Sequence, residues 1–239
     1  MIERSAEAFR FFEQHYWDYY IELEESLLQI RKYVSFSKKN FNTFSIEILK
    51  LYQAVCSEID VIGKELARIA NPAFKTADKK NNIYKWWYEI QDTLFVEEKL
   101  DFFAEPSNIE LFNYQCKLSN EISFTPWRNF HVDQYYDKKA VLRYKLSEGC
   151  KLPKWWHDYN QVKHNRASFV EGSYNETNYC KANFGNLCAA FAALYILEMA
   201  MLTCVATQEN LEGFADRSKL FEKTSFMTAA DIERLFEMA

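Results

Sequence analysis

Residues 43–72 read TFSIEILKLYQAVCSEIDVIGKELARIANP, and this stretch decides the fold. Ile48, Tyr52, Val55, Ile59, Ile62, Leu66 and Ile69 recur every three or four residues, the spacing that gathers side chains on one face of a helix. Thr43 or Ser45 offers an oxygen to the free amides of the first turn, and Glu47 places a negative charge at the positive end of the helix dipole. Asn71 and Pro72 end the helix, because proline disfavours helical geometry in the residue before it and has no amide hydrogen to donate. Gly63 costs about 1 kcal/mol relative to alanine inside a helix, so its presence predicts a close contact with a neighbouring element.

Upstream, Phe9, Phe12, Tyr16, Tyr19, Leu23, Leu27, Ile30 and Val34 form a second stripe, predicting one long amphipathic helix from Ala6 to about Ser35, with Glu24 among the charged flanks. The two helices are expected to pair antiparallel. Downstream, residues 187–206 carry a single formal charge, Glu198. The segment is long enough to cross a bilayer, but its Ala, Cys and Thr content, its central Glu and its lack of aromatic or basic belts favour a central helix buried by the others. Glu198 then needs a partner, since an unpaired carboxylate in a core is costly and its pKa is driven upward.

Between these helices the pattern changes. Residues 73–82 read as an exposed linker, 86–103 as a third helix, and 108–117 and 121–127 as two short strands. Residues 135–147 read as another helix stopping at Gly149, and Thr228 as the cap of a terminal helix. The expectation is a mainly α chain: an up-and-down helical bundle forming a single helical domain over 1–239. A small β-containing insertion occupies approximately 83–150.

The chain has 239 residues and a net charge of −5, which is not the signature of a general duplex-DNA binder. Aromatic residues make up 17% of it, so an aromatic core is expected. Because successive helical residues point about 100° apart, adjacent Trp86 and Trp87 cannot both face one core. One of them, with Phe124 and Trp127, is therefore a candidate docking surface. The six cysteines contain no C-x-x-C pair and no basic, apolar leader opens the chain, which suits a cytoplasmic protein with reduced thiols.

Residues 153–166, PKWWHDYNQVKHNR, concentrate the chemistry. On a helix, Asn160 and His164 share a face, with His157 one turn before Asn160. Imidazole suits proton transfer at neutral pH, and Lys163 and Arg166 suit an anion such as phosphate. His157 and His164 are seven residues apart, not the i, i+4 spacing of two helical metal ligands, no Cys or carboxylate pair supplies the rest, and no glycine-rich phosphate loop occurs, so no metal or cofactor is expected.

The YNQVKHNR segment opening into the Ala-rich NLCAAFAALYIL helix resembles the HEPN superfamily of small α-helical proteins, as does the TFSIEILKLYQAVCSEIDVIGK stretch. The resemblance covers residues 5–70 and 150–207. It implies a bacterial defence or toxin–antitoxin role and a homodimer that engages RNA or a partner protein, without membrane or metal. The family's nuclease members carry Arg, four to six residues, then His, and cleave RNA without metal. His164 matches the motif His and Asn160 the polar residue within it, whereas Tyr159 stands where the Arg would be. The implied roles are catalytic for His164, Asn160 and Arg166, and substrate-binding for Lys163, His157 and Tyr159. Glu58 is read as orienting the motif helix through one of its cations. Two functional classes stay open: a helical binding module without turnover, and a metal-independent endoribonuclease.

Overall fold

The computed structural model describes residues 4–91, 114–118, 122–215 and 217–223. The far half of the expected third helix, the start of the first expected strand and the terminal helix at Thr228 lie outside them. The described chain is mainly helical.

The first stripe forms a helix with a change of phase. Helix α1 (Ala6–Phe12) passes into a π-helical turn (Glu13–Trp17) and then α2 (Asp18–Ile30). A π turn takes up an extra residue and rotates the helix beyond it. The buried row accordingly runs Phe12, Trp17, Tyr20, Leu23, Leu27, while Tyr19, on the uninterrupted stripe, is exposed. Trp17 stacks on Tyr20 at 5.0 Å. The same rotation turns Glu24 into the core.

Helix α3 (Ile46–Ala70) follows the predicted pattern: Ser45 accepts from the Ile48 amide at 3.2 Å, and Asn71 closes the other end. Its apolar row is buried, and a Cβ at Gly63 would lie 2.8 Å from the Trp86 ring, which explains the glycine. Trp86 belongs to α4 (Ile83–Ile90). Both Trp86 and Trp87 are buried, contrary to the expectation that one faces solvent. Helix α4 is covered on two sides: Trp86 lies on α3, while Trp87 stacks on Trp127 at 4.5 Å and donates to the Phe130 carbonyl at 3.0 Å. Trp127 is buried too, so these indoles are core and not a docking surface.

Strands β1 (Tyr114–Cys116) and β2 (Ser123–Phe124) fall where the sequence places two short strands, and they pair antiparallel. Residues 135–147 are not a helix. They belong to a hairpin of β3 (Val132–Tyr136) and β4 (Leu142–Leu146), registered Val132 to Leu146 and Tyr136 to Leu142. Asp137 decides this: its carboxylate accepts from the Lys139 and Val141 amides at 2.8 and 3.0 Å, and Ala140 turns through φ 56°. A side chain that satisfies its own following backbone offers the chain an alternative to the helix.

Helix α5 (Lys154–Asn165) carries the polar motif, and α6 (Phe184–Val205), capped by Asn183, is the central apolar helix. By length and composition α6 could cross a membrane, yet 78% of its most apolar window is buried against the other elements. It packs on α1, α2, α3 and α5, with Leu187, Phe191 and Leu194 fully buried. A short helix α7 (Gln208–Gly213) and strand β5 (Phe221–Lys223) complete the described chain, β5 pairing antiparallel with β1 to make a sheet ordered β2-β1-β5.

Candidate functional site

Helix α5 is held by one face and open on the other. Trp155, Trp156, Tyr159 and Val162 are buried, and their spacing is the helical repeat. The Trp155 indole donates to the Pro126 carbonyl at 2.9 Å, and the Tyr52 hydroxyl donates to the Trp155 carbonyl. Tyr159 meets Tyr52 edge-on at 6.0 Å. Burial, with Cys56 and Asp60 nearby, pushes the Tyr159 phenol up to about 12, so it stays protonated at neutral pH.

Sequence reading missed Asp158. Its carboxylate is buried, where it accepts from the Lys154 ammonium and from Asn186 Nδ2 at 2.9 Å, with His157 Nδ1 at 3.7 Å. Asn186 sits in the first turn of α6 and also donates to the Lys181 carbonyl at 2.9 Å. Asp158 therefore fixes α5 against the start of α6. The one signal in the sequence was an acidic residue placed beside two tryptophans of the buried face.

The C-terminal half of α5 presents the remaining motif residues. Lys163, His164, Asn165 and Arg166 are exposed, while Asn160, one turn before His164 on the same face, is half-buried. Neither Lys163 nor Arg166 forms an ion pair among the described residues. The Lys163 ammonium lies 5.4 Å from the Tyr159 ring centroid, a cation–π placement that steers it without neutralising it. Tyr159 is itself buried and reaches a ligand only through Lys163. His157 is exposed but turned toward Asp158, on the side of the helix that Asn186 closes.

Beyond the helix the loop folds back, with the Tyr179 amide donating to the Arg166 carbonyl at 3.1 Å and Asn178 Nδ2 to the Asn165 carbonyl at 3.0 Å. Phe44 meets Tyr179 edge-on at 5.4 Å, and the Phe44 and Phe169 rings are exposed. Phe169, three residues beyond Arg166, is thus an exposed ring on the loop that leaves α5.

No ion pair joins Glu58 to a cation of α5 among the described residues; its charge acts instead on Glu198 and Tyr16. Burial raises the Glu58 carboxyl to about 7. Glu198 is fully buried, and neither of its oxygens has a hydrogen-bond partner among the described residues, so the partner expected for it is not there. Desolvation first, then the Glu58 charge, pushes its pKa well above the ordinary carboxylate value, which favours the protonated form. The same carboxylates, with Glu65, help burial raise Tyr16 to about 12. Asp60, two residues beyond Glu58 on α3, accepts from Lys64 and from the Trp86 indole at 3.1 Å. Among the described residues no three His, Cys, Asp or Glu side chains gather as a metal site.

Comparison with family models, with curated proteins and with solved structures finds no match to this chain.

Proposed function

We propose that this chain is a HEPN-like helical protein of bacterial defence or toxin–antitoxin type, cytoplasmic and dimeric. It binds RNA at the C-terminal half of α5. One observation carries the reading: Lys163, His164 and Arg166 reach solvent together without ion pairs, on a helix whose opposite face is locked into the core. Unpaired cations with an exposed ring on the adjoining loop suit a phosphodiester chain bearing unstacked bases, because phosphate takes the charge and a base takes the ring. Arg166, two residues after His164, supplies the planar donor suited to phosphate. A twofold pairing of α5 helices doubles these cations around one strand.

The second reading, a metal-independent endoribonuclease, is favoured by the exposure of His164 next to Lys163. In that chemistry His164 exchanges the proton of the ribose 2′-hydroxyl or of the leaving oxygen. Lys163 and Arg166 stabilise the charge that develops on the phosphate, and Asn160 orients the imidazole or the phosphate. Tyr159 in place of the family's Arg removes one such cation.

The test sets the purified chain beside His164→Ala on mixed RNA with EDTA, following both cleavage and retention, with light scattering on each. Retention of intact RNA by the wild type, weakened in Lys163→Ala and Arg166→Ala, supports the binding reading. Cleavage that His164→Ala loses moves the assignment to the nuclease. Neither retention nor cleavage by a folded chain ends both readings.

A further inference from the structure

The β3–β4 hairpin is a second surface whose chemistry α5 does not explain. Its register places Asp133, Tyr135, Arg143 and Lys145 on one face, with Tyr135 directly opposite Arg143. The other face carries Gln134, Tyr136, Leu142 and Tyr144, and its base packs on α4: Tyr88 meets Tyr144 at 5.4 Å, and Gln134 donates to the Tyr88 hydroxyl. The first face is left open. On it Tyr135 is 41% exposed; on the other face, at the tip beyond the part that packs on α4, Tyr136 is 73% exposed.

Its charge runs against that of the molecule. Residues 132–146 hold four cations, Lys138, Lys139, Arg143 and Lys145, against two carboxylates, in a chain of net charge −5. Both carboxylates are engaged within the hairpin: Asp137 pairs with Arg143 at 3.0 Å, and Asp133 accepts from the Ser147 hydroxyl at 2.8 Å. Lys138, Lys139 and Lys145 form no ion pair among the described residues, and the Lys145 ammonium lies 5.6 Å from the Tyr135 ring centroid. An isolated two-stranded ribbon gains little stability from exposed rings, so folding does not account for Tyr135 and Tyr136.

The geometry points to this ribbon as a sequence-tolerant binding surface for single-stranded nucleic acid, with Tyr135 as the stacking platform and Lys138, Lys139 and Lys145 as the phosphate contacts. A flat ring beside mobile ammonium groups fits a base and its backbone, whereas a purely apolar protein partner would have to leave three lysines unpaired. The ribbon packs on α4, whereas the His164 cluster lies at the C-terminal end of α5, so the two surfaces are built on different elements. The two surfaces therefore stand or fall separately.

The test is fluorescence anisotropy of a labelled oligouridine with the full chain, across a salt series, for the wild type, Tyr135→Ala, Tyr135→Phe and Lys138→Glu/Lys139→Glu. Tyr135→Ala should weaken binding roughly tenfold, and Tyr135→Phe, which keeps the ring, should restore most of it. The double charge reversal should weaken binding and lower the log–log salt slope by about 1.4, as expected for two lost contacts to a single strand. Unchanged affinity in all three variants overturns the proposal even where Lys163→Ala and Arg166→Ala abolish binding, and that result leaves the α5 reading intact. Equal dependence on Tyr135 for heparin, which has no bases, overturns stacking. Loss of a dimer in Tyr135→Ala by light scattering reassigns the ribbon to contact with a second copy. Circular dichroism on each variant secures the fold, which these exposed substitutions leave in place.

Discussion

Two glutamates lie in the same core and could hardly be treated more differently. Glu24 on α2 is 2% exposed, and donors surround it: the Tyr20 hydroxyl at 2.9 Å, the Ser218 hydroxyl at 2.6 Å and the Lys219 amide at 2.6 Å. Glu198 on α6 is 0% exposed and has no hydrogen-bond partner among the described residues. Taking a carboxylate out of water carries a large cost in both places. At Glu24 the cost is offset by hydrogen bonds that also tie the segment before β5 to α2, across nearly two hundred residues of sequence. At Glu198 no such bonds offset it among the described residues, and burial pushes the carboxyl pKa upward, toward the form that keeps its proton. One residue works as a structural bracket, while the other is held against stability.

The sharpest way to break this comparison is Glu24→Ala. It removes the acceptor shared by the Tyr20 and Ser218 hydroxyls and the Lys219 amide, leaving the two hydroxyls facing each other at 3.4 Å, and a hydrogen bond to a charged group contributes about 1.5–3 kcal/mol. We expect the variant to lose about 4 kcal/mol in urea unfolding and to become cleavable near residue 218 by limited proteolysis. A loss under about 1 kcal/mol would show that the bracket carries no load.

The opposite sign is expected at Glu198. Glu198→Leu removes an unsatisfied acid from an apolar neighbourhood and keeps most of its volume, so thermal unfolding should show a gain of about 1–3 kcal/mol. Destabilisation instead would mean that the carboxyl has a hydrogen-bonding role. A smaller effect separates the two regions by pH. Glu58, whose charge acts on Glu198, ionises near 7 in the folded chain against the ordinary 4.5. The folded state thus holds more protons than the unfolded one between these values, and stability must fall as pH rises through that window. Its contribution is full below about 4.5 and gone above about 7, a loss whose upper bound is about 3 kcal/mol for this shift and which solvent screening lowers toward about 1 kcal/mol. Denaturation midpoints taken from pH 4.5 to 8 should decline in the wild type and flatten in Glu58→Gln, while Glu24→Gln leaves that slope alone.

The same contrast explains what the sequence could disclose. Helix α3 was legible from its stripe, its Ser45 cap, its Pro72 stop and even its Gly63, because each is a local signal read over a few residues. The motif on α5 was legible as a cluster for the same reason. Glu24 was not, because its donors come from Ser218 and Lys219, far along the chain, and because the π turn at Glu13–Trp17 shifts the stripe by a residue that no periodicity predicts. The hairpin was misread as a helix since Tyr, Leu and Lys fit both periods, and the deciding feature was the bond from Asp137 to its own turn. Adjacent Trp86 and Trp87 looked too divergent for one core, and a core that wraps α4 on two sides removed the conflict.

His164 should give the smallest change in stability and the most informative one. It is exposed and sits in the last turn of α5, at the negative end of the helix dipole. Losing an interaction with that dipole amounts to a few tenths of a kcal/mol, and an exposed substitution with no buried partner stays within about 0.5 kcal/mol. His164→Ala should therefore unfold at the wild-type urea concentration while changing RNA retention or cleavage. A residue neutral for folding but not for RNA is what a site looks like, as Glu24 is what a bracket looks like. If His164→Ala instead lowers stability by more than about 1 kcal/mol, beyond the range of an exposed substitution, the imidazole belongs to the packing of the 166–178 loop, and the surface at the end of α5 loses its claim to be a site.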